Sequence, residues 1–178
     1  MSAHRKLNAS HGAWLLGWLL LFSFTAHGQD NLHFHGALVA KPCLATPENE
    51  RSEVRLGAIK LQELYDNSRS AGTEFTLRLG QCDTALAHAV NVTFIGNQSS
   101  LWGLLDISPD SQADNIAIGL ETLEGEAVMI NQSVQRPLVD GDNLLRFRAY
   151  VQAKGSYPYV IIDPGTFRAV ANIELSYE

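Results

Sequence analysis

The chain has 178 residues, 46% of them hydrophobic and 18% charged, with 13 Lys and Arg against 19 Asp and Glu. This is the size of one domain or two small ones, and the balance excludes both a disordered tail and a multi-span membrane protein. A formal charge of −6 argues against a general nucleic-acid binder, which needs a basic face to displace counterions.

The chain opens with an address. His4, Arg5 and Lys6 precede the apolar run 13–24, which ends at Thr25, Ala26, His27 and Gly28. A charged start, an apolar centre and small residues at Ala26 and Gly28 make residues 1–28 a secretory signal peptide. The run is too short to cross a bilayer, which takes roughly 20 residues. The mature chain is then expected to be one acidic domain outside the cytoplasm, with no membrane insertion. In that compartment the two cysteines, Cys43 and Cys82, are expected to form one disulfide. The chain-entropy account gives about 4 kcal/mol for the loop they would close.

The predicted elements follow from alternation. Ahead of the first cysteine, Leu32, Phe34, Gly36, Leu38 and Ala40 alternate with His33, His35, Ala37 and Val39. A mature N-terminus is ordinarily frayed and polar, and this one carries a strand pattern. Residues 61–65 read as a brief helical turn. Residues 73–82 place Phe75, Leu77 and Leu79 on one face, and residues 89–95 do the same with Val90, Val92 and Phe94. Ile116, Ile118 and Leu120 form a third stripe, and 128–130 a short partner strand. After the turn signal Asp140-Gly141-Asp142-Asn143 come Leu145, Phe147, Ala149 and Val151. The last stretch, 166–178, aligns Phe167, Ala169, Ala171, Ile173, Leu175 and Tyr177 on one face. Period-2 stripes of this kind mark half-buried strands. The fold class is therefore all-β, a sandwich.

Counted from Cys43 the strands number about six, where an immunoglobulin-like sandwich needs at least seven. A sandwich short of one strand leaves an apolar groove beside an edge of unpaired backbone groups, which is a template for another chain. The segment 32–40 is the right kind of object to fill such a groove in a neighbour by strand addition. Burying Leu32, Phe34 and Leu38 would contribute roughly 1.5–3 kcal/mol each. The total of about 5–9 kcal/mol is comparable with the net stability of a whole domain, roughly 5–15 kcal/mol.

These residues resemble the subunits of chaperone–usher pili, the type 1 and P-type fimbriae. The matching pieces are 31–39 leading to Pro42 and Cys43, then 77–84, 92–96 and 142–150, and the closing Gly165-Thr166-Phe167 with Tyr177 penultimate. The resemblance implies an incomplete immunoglobulin-like sandwich lacking its last strand, completed by a donor strand from a partner. It implies a signal peptide over 1–28, a donor-strand extension over 29–41 and a pilin domain over 42–178. Leu32, Phe34, Gly36, Leu38 and Ala40 correspond to the donor strand. Phe167, Ala169, Ala171, Ile173, Leu175 and Tyr177 correspond to the acceptor groove that a chaperone also reads, with the carboxylate of Glu178 anchored by chaperone basic residues. Cys43 and Cys82 would join the first two core strands. The implied partners are a periplasmic pilus chaperone, an outer-membrane usher and neighbouring pilin subunits, at the cell surface in a fimbrium supporting adhesion. The short extension before Cys43 resembles that of minor or adaptor subunits, and a two-domain tip adhesin would be longer.

Other chemistry finds less support in the residues. His33 and His35 share a strand face at a metal-ligand spacing, but the same pattern is the solvent side of a donor strand. Asp106, Asp110 and Asp114 lack a DxDxDG calcium loop. His88 has no GxSxG elbow to serve. Neither an enzyme nor a bound cofactor or metal is expected. The alternative is a self-contained secreted sandwich binding a glycan or small ligand, for which Trp102 would be the stacking residue.

Overall fold

The strongest alternations become the longest strands. The computed structural model describes residues 40–45, 53–156 and 158–178. The predicted signal peptide and the predicted donor residues Leu32, Phe34, Gly36 and Leu38 lie outside them, and Ala40, the last of that set, is exposed. In chain order the elements are β1 (Leu44–Ala45), α1 (Leu61–Asn67), β2 (Thr73–Cys82), β3 (Ala89–Gly96), β4 (Leu105–Asp106), β5 (Ile116–Thr122), β6 (Ala127–Val128), β7 (Ser133–Pro137), β8 (Gly141–Ala153) and β9 (Ala171–Tyr177). One sheet has the order β1-β2-β8-β5-β4 with β6 also on β5, and the other has the order β7-β3-β9.

The strand count corrects the sequence reading. Among the described residues nine strands stand where about six were expected, so a missing strand does not follow from counting. Three of the nine, β1, β4 and β6, are two residues long, too short to show a period. The strand β7 escapes for another reason: SVQRP has only Val134 as an apolar inward residue.

Every strand pairing among the described residues is antiparallel. β2 and β8 run side by side from Thr73 opposite Ala149 to Leu79 opposite Asn143, then shift register before Cys82 meets Gly141. Gln81, with φ of 52°, sits in that irregularity, as bulged backbones require. Gly141, with φ of 86°, makes the turn into β8 that Asp140-Gly141 announced. The disulfide Cys43–Cys82 closes a separation of 39 residues and ties the entry of β1 to the end of β2.

The two sheets bury their facing stripes on each other. Leu77, Leu79, Leu145, Phe147 and Val151 come from one sheet, and Val90, Val92 and Phe94 from the other. Phe94 meets Phe147 edge-on at 5.3 Å between centroids, and Phe75 lies 6.0 Å from Phe94 and 5.8 Å from Phe147. Such pairs add about 0.5–1.5 kcal/mol each beyond their area.

All seven residues of β5 are buried, so its outer face is covered as well. Tyr150 lies across Gly119, where a Cβ would overlap its ring. The Arg69 guanidinium stacks on that ring at 3.6 Å and bonds Glu121 at 2.8 Å. Alternation alone could not announce this, because Ala117 and Gly119 look like a solvent face. The helix α1 buries only Leu64 and stops at Ser68, whose φ of 63° is a left-handed cap.

Candidate assembly groove

The groove follows from how β9 is held. Along its whole length β9 pairs with β3, from Val90 opposite Tyr177 to Gly96 opposite Ala171. No strand among the described residues pairs with its other edge. Since each residue carries one donor and one acceptor, that edge offers a row of backbone groups to an added strand.

The predicted strand 166–178 is longer than β9, and its first part is held differently. The carbonyl of Thr166 accepts from the backbone N–H of Gln112 (2.8 Å) and Ala113 (3.2 Å), and that of Arg168 accepts from Ser108 (2.7 Å). Arg168 also pairs with Asp110. Alternation nevertheless continues, with Phe167, Ala169, Ala171, Ile173, Leu175 and Tyr177 half-buried and the residues between them exposed.

Beside this strand lies a groove with a volume of about 610 Å3. Phe167, Ala169, Ala171 and Ile173 form one wall, and residues 53–57, with Val54 and Leu56 turned inward, form the other. Its floor is the core seen from the side: Phe75, Leu77, Phe94, Leu105, Ile118, Leu120 and Ala149. Four of the six predicted wall residues thus line the groove. Leu175 and Tyr177 pack against the core beyond its lining, and burial pushes the Tyr177 hydroxyl above its ordinary pKa. The opposite wall was missed in the sequence. Its only signal is the apolar pair in Glu53-Val54-Arg55-Leu56, a single period of alternation.

Glu178 pins the far end of β9. Its carboxylate accepts from Asn91 Nδ2 (2.6 Å) and Gln135 Nε2 (3.0 Å), so one side chain spans β9, β3 and β7. Its main-chain oxygen accepts from the N–H groups of His88 (2.6 Å) and Ala89 (3.0 Å). The groove wall is therefore fixed in register at both ends.

The other singled-out residues take separate partners. Asp106 pairs with Lys154 at 2.7 Å, Asp110 with Arg168, and Asp114 accepts from the N–H of Asn115 at 2.6 Å. Among the described residues no three His, Cys, Asp or Glu side chains converge on a metal-sized site. His33 and His35 lie outside the described residues. Trp102 is 65% exposed and takes no part in the groove.

Comparison with known proteins places this geometry. Residues 32–178 match the family described as fimbrial protein. The chain is 33% identical over 152 residues to the Fimbria A protein of Serratia marcescens, covering 85% of this chain and 86% of that protein. It is also 33% identical over 154 residues to the Major MR/P fimbria protein of Proteus mirabilis, with 85% of each covered. Among solved structures it resembles the P pilus rod subunit PapA, with a TM-score of 0.65 and 23% identity over 78% of this chain and all (100%) of that one. A subunit in the structure of a chaperone–usher pilus gives a TM-score of 0.66 at 23% identity, covering 85% of this chain and 96% of that one. These likenesses show the immunoglobulin-like sandwich of pilins. The chain belongs to the fimbrial protein family and is a structural subunit of a surface fimbria, exported through the periplasm.

Proposed function

We propose that this subunit joins its fibre by donor-strand exchange. The observation that carries the reading is the groove along β9, which combines an edge without a partner strand among the described residues with a wall of alternating apolar side chains. An extended segment laid there would bond the free edge with its backbone and fill the groove with every second side chain. Segment 29–41, with Leu32, Phe34, Gly36, Leu38 and Ala40, is the complementary piece for the groove of a neighbouring subunit. Before assembly a periplasmic chaperone strand holds the same groove, and an outer-membrane usher orders the exchange. The fibre so built supports adhesion.

Deleting residues 29–40 tests this. The truncated subunit should still be captured by the chaperone through its own groove, yet fail to attach to a preceding subunit. Normal incorporation of the truncated chain would overturn the proposal.

Two readings of its place in the fibre rest on different observations. The short extension ahead of Cys43 favours a minor or adaptor position. The relative named as a major fimbria protein favours the shaft. Counting copies per fibre by quantitative mass spectrometry separates them: a few copies support the first and a majority the second.

A further inference from the structure

The two walls of the groove are attached to the protein in different ways. The β9 wall has a backbone ladder to β3. The facing wall has no ladder: among the described residues no backbone–backbone hydrogen bond ties 53–57 to another segment. Val54 and Leu56 pack inward, but apolar contact is non-directional and does not by itself fix where a strandless segment sits. The placement of this wall therefore depends on the element it runs into, through Ile59 and Leu61 at the start of α1.

The helix α1 is anchored in two directions. Toward the larger sheet, Ala71 N–H donates to the Glu63 carboxylate (2.9 Å), and residues 68–70 bond the end of β8. Ser70 N–H donates to the Val151 carbonyl (2.8 Å), Ala153 N–H to the Ser68 carbonyl (2.9 Å) and Val151 N–H to the Ser70 hydroxyl (3.0 Å). Toward the other wall the anchor is Tyr65, whose ring packs against the core and whose hydroxyl accepts from the backbone N–H of Ile162 (3.3 Å). Ile162 is buried and precedes Gly165, Thr166 and Phe167, where that wall begins. One side chain thus joins the root of the 53–57 wall to the root of the β9 wall. We infer that Tyr65 is a positioning residue for strand addition, setting the separation of the two walls. The inference rests on the donor-strand reading. A strand seated between the walls touches both, and a gap of about 0.5–1 Å forfeits a quarter to a half of each contact's attraction. The Tyr65–Ile162 bond is slightly longer than the usual range, so its loss should be felt in the groove more than in the stability of the fold.

The test compares the full chain with its Tyr65→Phe variant, which keeps the ring and removes the hydroxyl. Each is loaded with a fluorescent peptide of sequence 29–41 and diluted into excess unlabelled peptide. The departure rate is read because competitors for an empty groove do not alter it. Tyr65→Phe should release the peptide about fivefold faster, the effect of one hydrogen bond, with the urea unfolding midpoint unchanged. An unchanged departure rate, with or without a lower midpoint, overturns the positioning role and leaves the donor-strand reading standing. If both quantities move, Glu63→Ala decides, since it loosens α1 only on its β8 side. Slow release from Glu63→Ala at a similarly lowered midpoint supports the role of Tyr65, and equally fast release overturns it as general loosening. A wild-type chain that takes up no peptide overturns the donor-strand reading and this inference with it.

Discussion

Replacing Ala171 by Phe separates an open groove from a filled core by the sign of its effect. Ala171 projects from the first residue of β9 into the groove, on the same wall as Ala169 and Ile173. Adding a benzyl group to a packed interior forces neighbours aside and costs about 1–3 kcal/mol. Here the added ring would enter a space of about 610 Å3 floored by Phe75 and Phe94. Burying a Phe side chain contributes roughly 1.5–3 kcal/mol, and incomplete coverage in an open groove reduces this to about 1–2. The substitution should therefore stabilise the subunit while removing a comparable contribution from any added strand. Since each 1.4 kcal/mol is a factor of ten, a peptide of sequence 29–41 should bind about 5–30-fold more weakly. Urea unfolding followed by circular dichroism gives the first quantity and calorimetric titration with the peptide gives the second. A destabilised Ala171→Phe chain that binds the peptide as before would show that the space is not a strand acceptor.

Other consequences are more local. Gly119→Ala drives a methyl into the Tyr150 ring, which Arg69 holds in place, and should cost about 1–3 kcal/mol in urea unfolding; an unchanged midpoint would mean that the ring is free to move. Replacing both Cys43 and Cys82 by Ser should cost about 2–5 kcal/mol by the same measurement, since the bond closes a separation of 39 residues. The Thr84 hydroxyl, and then its N–H, hold the Asp140 carboxyl below its ordinary pKa. A lowered folded pKa stabilises the fold above the unfolded value and loses that contribution as pH falls through the folded one. Thr84→Val should thus move the Asp140 NMR titration midpoint upward, and wild type's advantage over the variant should fade below about pH 4. An unmoved midpoint would assign the shift to another cause.

The parts of the fold that could be read in the sequence are those where one face meets the core and the other meets water. β2, β3, β8 and the apolar half of β5 show that contrast over several periods, and so does the stretch leading into β9. β1, β4 and β6 are too short to repeat, and β7 carries its inward face on Val134 and Arg136 rather than on an apolar stripe. The candidate site divides in the same way. Its continuous wall was visible as alternation, whereas its floor consists of core residues from β2, β3, β4, β5 and β8 that only the packing of the two sheets brings to one place. Val54 and Leu56 belong to no strand, so no period marked them as the facing wall.

Strand count therefore says little about whether such a sandwich is complete. Nine strands are present and β9 still has no partner on one side among the described residues, because three of the nine are two-residue pairings in or at the edge of the larger sheet. What matters is where the edges lie. The smaller sheet has three strands, with β3 between β7 and β9, so the groove wall depends on one neighbour for its ladder. A slip of one residue along β3 would turn Ala171 and Ile173 outward and bring polar residues such as Asn172 to the groove. The end contacts oppose that slip: Glu178 is gripped by Asn91, Gln135 and the His88 and Ala89 amides, and Arg168 by Asp110 and Ser111. These polar contacts are mostly exposed, and each contributes little to stability on its own. Their effect is to hold the register of the groove's apolar wall, which the proposed strand addition requires to be in place.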